Sequence, residues 1–70
     1  MTATGTRAAL MAAEAELRHA EEKIAEAQTA LDAPDADAAA RQQAHTALRY
    51  YEQRATGYRA AIARLKRETG

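Results

Sequence analysis

The chain is 70 residues long, balances ten acidic against ten basic residues and holds no cysteine. That length makes one small domain, zero net charge gives no global pull toward nucleic acid or a membrane surface, and a disulfide framework is excluded. No apolar run approaches the roughly 18 residues of a bilayer-spanning helix and no signal peptide is visible, which together with the missing cysteines fits a cytoplasmic protein.

Hydrophobic residues make up 47 % of the chain, but 21 of them are alanine and only seven are branched aliphatics, five Leu and two Ile. Alanine has the highest helix propensity, and Val, Phe and Trp are absent, so an all-α fold is expected. The same alanines make a thin core, because each buries little apolar area at about 25 cal/mol per Å². A chain this short normally needs a further staple, such as a partner subunit.

Residues 1–5 lack periodicity and are expected to be disordered. Thr6 can cap a first helix, its hydroxyl accepting from a free backbone N–H of the first turn. That helix is predicted over 6–32, where Leu10, Leu17, Ile24 and Leu31 recur every seven residues and therefore share one face. Pro34 disfavours helical geometry at Ala33 and ends the arm. A turn at 33–35 follows, with Asp35 as the expected N-cap of the second helix and Asp37 at its positive dipole end.

The second helix is predicted over 35–68. Leu48, Tyr51, Ala55, Tyr58, Ile62 and Leu65 alternate in spacings of three and four along it, and Lys66 and Arg67 suit its negative C-terminus. Two such arms joined by a short turn make residues 6–70 one antiparallel coiled-coil hairpin. Pairing Leu10 with Tyr58, Ala13 with Ala55, Leu17 with Tyr51, Ala20 with Leu48 and Ile24 with Ala44 centres every layer on Pro34. The layers then alternate large and small residues and interdigitate. Toward the turn the same register sets Arg41 and Asp37 against Ala27 and Leu31, which ends the core.

The charges divide between the arms. Residues 7–32 carry six acids and three bases, and residues 35–68 carry four acids and seven bases, so the arms attract each other. One flank of the seam, with Glu14, Glu21 and Gln28 facing His45, Glu52, Arg59 and Lys66, is an ordinary solvated surface. The other, with Ala9, Glu16, Lys23 and Ala30 facing Ala40, Ala47, Arg54 and Ala61, is small and partly apolar, with Tyr50 and Gly57 beside it. Gly57 in mid-helix costs about 1 kcal/mol relative to alanine, and with Ala61 one turn away it leaves a notch that another backbone can approach. Because the first helix starts at Thr6, Ile62 and Leu65 outrun its cover.

Chemistry-bearing motifs are weak. Glu16 and His19 match the Glu-x-x-His spacing of di-iron bundles, but they lie on the flank while Leu17 faces the seam. No metal, cofactor, small-molecule substrate or catalytic set is expected, and no enzyme activity. Arg54, Arg59, Arg64, Lys66 and Arg67 form a basic stretch that can neutralise phosphates, although the tyrosines at 51 and 58 turn into the seam rather than interleave with it.

The expectation is a non-enzymatic protein–protein interaction module: a small adaptor, regulator or assembly factor. It would dimerise into a four-helix bundle or take a helical protein partner through Tyr50, Gly57, Ala61, Ile62 and Leu65. The alternative is a nucleic-acid-associated regulator using the basic C-terminal third. The alanine and arginine usage is that of a bacterial chain from a GC-rich genome.

Overall fold

A computed structural model describes residues 2–69, with side chains from Gly5 onward. Two helices, α1 (Thr2–Asp32) and α2 (Ala38–Thr69), account for all but the connection between them. Laid end to end they would run about 95 Å at 1.5 Å per residue, yet the longest dimension is 53 Å. The chain is therefore folded back on itself as an antiparallel helical hairpin, with no strand among the described residues.

Burial follows the seven-residue pattern on both arms. Leu10, Ala13, Leu17, Ala20, Ile24, Ala27 and Leu31 of α1 are buried or half-buried, as are Ala44, Leu48, Tyr51, Ala55, Tyr58, Ile62 and Leu65 of α2. The innermost residues among those described are Ala20, Ala27, Ala44, Ala55 and Ile62. Alanine dominates because close approach of two backbones leaves room only for a methyl group at the axis of contact. The leucines sit half-covered at the sides of the seam, since a two-helix body covers each of them from one direction only.

The turn differs from expectation. The amide of Ala36 donates to the carbonyl of Ala33 at 3.3 Å, closing a β-turn with Pro34 at its second position, where the fixed proline φ belongs. This turn occupies Asp35, so Asp35 does not cap α2. The cap is Asp37: its carboxylate accepts from the Ala40 amide at 2.8 Å and its carbonyl accepts from the Arg41 amide at 3.0 Å. Arg41 bends back to donate from Nε to the Ala36 carbonyl at 3.3 Å. The charged residues at the open end of the seam thus serve the turn and stay out of the core.

The start of α1 also differs. The helix begins at Thr2 rather than Thr6, so Thr6 is an interior, half-buried helical residue and not a cap. Of the segment expected to be disordered, residues 2–5 are helical and Met1 lies outside the described residues, as does Gly70 at the other end. The consequence falls on Ile62 and Leu65. They are not an uncovered overhang: Ile62 retains 8 % of its surface and Leu65 is half-buried.

Candidate functional site

The residues with the most chemistry gather on one flank of the hairpin. The heptad spacing that turns Leu17 and Ala20 into the seam sets Glu16 and His19 on this flank of α1. The same spacing sets Tyr50, Arg54, Gly57 and Ala61 there on α2. Tyr51 and Tyr58 belong to the seam, but their rings are long enough to reach its edge.

These side chains form one connected cluster. Tyr50 and Tyr51 meet edge to face with centroids 4.9 Å apart, and His19 meets Tyr51 the same way at 6.1 Å. The Arg54 guanidinium lies 5.5 Å from the Tyr50 ring centre and 5.4 Å from that of Tyr58, a cation–π arrangement with both. It also donates to the Tyr58 hydroxyl, which in turn donates to Glu16 Oε2 at 3.3 Å across the hairpin. Hydrogen bonding to Tyr58, then the proximity of Tyr50, Tyr58 and Glu16, holds the Arg54 pKa above its ordinary value. Arg54 is therefore a permanent cation clamped between two rings.

Shallow recesses flank the cluster. Toward the turn lies one of about 440 Å³ between Ala27 and Ala30 on α1 and Ala40, Ala44 and Ala47 on α2. On the other side lies one of about 340 Å³ lined by Arg54, Gly57, Tyr58 and Ala61. Tyr50 borders a third hollow with Gln42, His45, Thr46, Arg49 and Gln53. Despite its two aromatic or cationic neighbours, Tyr50 keeps 52 % of its surface exposed; among the described residues Met11 is the other large hydrophobic residue so exposed.

The residues singled out from sequence separate into three groups. Tyr50, Gly57 and Ala61 come together around Arg54. Ile62 and Leu65 face the seam and are not part of that surface. Among the basic residues, Arg54 is engaged in the cluster and Arg59 pairs with Glu21 at 3.5 Å. Arg64, Lys66 and Arg67 are exposed on the last turns of α2. Sequence reasoning set Glu16 and Arg54 on facing sides of the flank beside Tyr50, but did not join them through Tyr58 or add His19. The available signal was that all three share a flank with Tyr50.

Glu16 and His19 both contact tyrosines, and no group of three or more His, Asp or Glu among the described residues is arranged to hold a metal ion. No helix among the described residues is long and apolar enough to cross a membrane. No protein-family model matches the chain, and no curated protein or solved structure matches it.

Proposed function

We propose that the chain is a non-enzymatic protein–protein interaction module, a small adaptor, regulator or assembly factor that works through its helical surface. The observation that carries this reading is Tyr50: a large aromatic in contact with Tyr51 and Arg54 yet half open to solvent. An exposed aromatic already packed against its neighbours is the usual form of an interface anchor, because less side-chain entropy is left to lose on binding. No polar side chain among the described residues is buried, so the surface offers contact area rather than a desolvated reaction centre. The thin alanine seam favours a partner that lies along the hairpin, and a four-helix bundle is the natural product.

The reading is tested by placing a photo-crosslinking amino acid at position 50 and identifying what is captured. A protein captured through that position, in a complex that persists at high salt, is the expected result, since apolar helix contacts are little screened. The opposite result is binding to mixed DNA or RNA at low salt that is lost when Arg64, Lys66 and Arg67 are changed to Glu. A steep salt dependence would accompany it, and the basic C-terminal third would then be the working surface.

A further inference from the structure

We propose that the Tyr50 flank docks a second copy of this chain, with the Tyr50 ring of each copy seated on Gly57 of the other. This rests on the interaction-module reading and names its partner.

The exposed area calls for a second body of this size. A compact monomer of 7.6 kDa exposes about 4,300 Å², and this chain exposes 5230 Å². The excess of roughly 900 Å² is close to the ~800 Å² that one partner contributes to a standard interface. It arises because the hairpin is 53 Å long and 14 Å in each of the other directions. Docking another hairpin lengthwise removes that area along the whole body.

The positions within the flank choose the geometry. The midpoint of α2 (Ala38–Thr69) falls between Gln53 and Arg54. A two-fold axis crossing there gives full overlap of the two α2 helices and sets position 50 opposite position 57, equidistant from the axis. An exposed aromatic therefore meets a glycine. Nothing inside the hairpin requires glycine at 57: its φ is not positive, and an added Cβ would meet nothing within 4 Å. Glycine is unfavourable in mid-helix, and its gain here is the hollow beside Ala61 that a ring from outside can fill. The same axis sets Ala47 within one residue of the facing Ala61, small against small.

Charge agrees with a second copy. Each Arg54 near the axis is bonded to its own Tyr58, whose hydroxyl donates to Glu16. Each arginine thus brings its own carboxylate partner to the axis, so the two copies of Arg54 do not meet as uncompensated like charges.

Sedimentation equilibrium on the full chain over the micromolar range tests this. The expected mass is twice 7.6 kDa. Tyr50→Asp and Gly57→Leu should each weaken the dimer at least about tenfold while circular dichroism stays helical, and Gln28→Ala on the opposite flank should change nothing. Combining Tyr50→Ala with Gly57→Tyr exchanges ring and hollow and should restore the dimer. A dimer indifferent to both single changes, or one not restored by the exchange, overturns the assignment of Tyr50 to Gly57. A monomer at every concentration overturns self-docking altogether. In that case a complex with a different protein that is lost on Tyr50→Asp keeps the interaction-module reading, and a complex untouched by it removes that reading as well.

Discussion

The Tyr58 hydroxyl bridges the two arms: it donates to Glu16 Oε2 at 3.3 Å while accepting from Arg54 on its own helix. A seam residue thereby orients a flank cation, and that cation lies over Tyr50. Core and surface are coupled through one oxygen.

Removing that oxygen is the direct test. Tyr58→Phe keeps the ring in the seam and should lower the melting temperature by only a few degrees, because the groups it releases are solvated. Arg54 has a raised pKa. Its favourable interaction is therefore fully present below arginine's ordinary value and lost only as pH rises through the higher folded value. The drop caused by Tyr58→Phe should therefore be the same at about pH 6 and pH 9, both far below that range. A drop that changes sharply between them would mean that another titrating group governs the cluster.

The two aspartates of the turn should behave differently. Asp37→Ala removes the carboxylate that accepts from the Ala40 amide and should cost about 1 kcal/mol in urea unfolding. Asp35→Ala, outside the cap, should be close to neutral. Equal costs at both sites would contradict the cap geometry.

Ile62 is now expected to be structural. Ile62→Ala should cost about 2–5 kcal/mol, and Ile62→Asp or truncation after Ala61 should unfold the hairpin, read as loss of helical circular dichroism. A truncated chain that stays fully helical would show that α1 does not depend on the end of α2.

Ala55 has no exposed surface. Ala55→Leu forces the backbones apart at a fully buried point of the seam and should destabilise by about 1–3 kcal/mol. Ala60→Leu, on the exposed side of the same helix, is the control and should leave the urea midpoint nearly unchanged.

The sequence alone determined the two helices, the break at Pro34 and the residues of the seam. Each of these follows from local rules: alanine propensity, the ring constraint of proline and the angular period of the helix place residues without reference to the other arm. Leu10 through Leu31 and Ala44 through Leu65 could be read off in this way because burial in a two-helix body repeats the heptad.

The tertiary structure decided what depends on distance between arms. It continued α1 to Thr2, past the residue the sequence offered as its cap. It moved the cap from Asp35 to Asp37, because the proline turn had already used the earlier residue. It also joined Glu16, Tyr58, Arg54 and Tyr50, a cluster that spans more than forty positions in sequence and is set by rotamers reaching across the seam. Short-range physics fixes which face a residue takes; only packing fixes what that face meets.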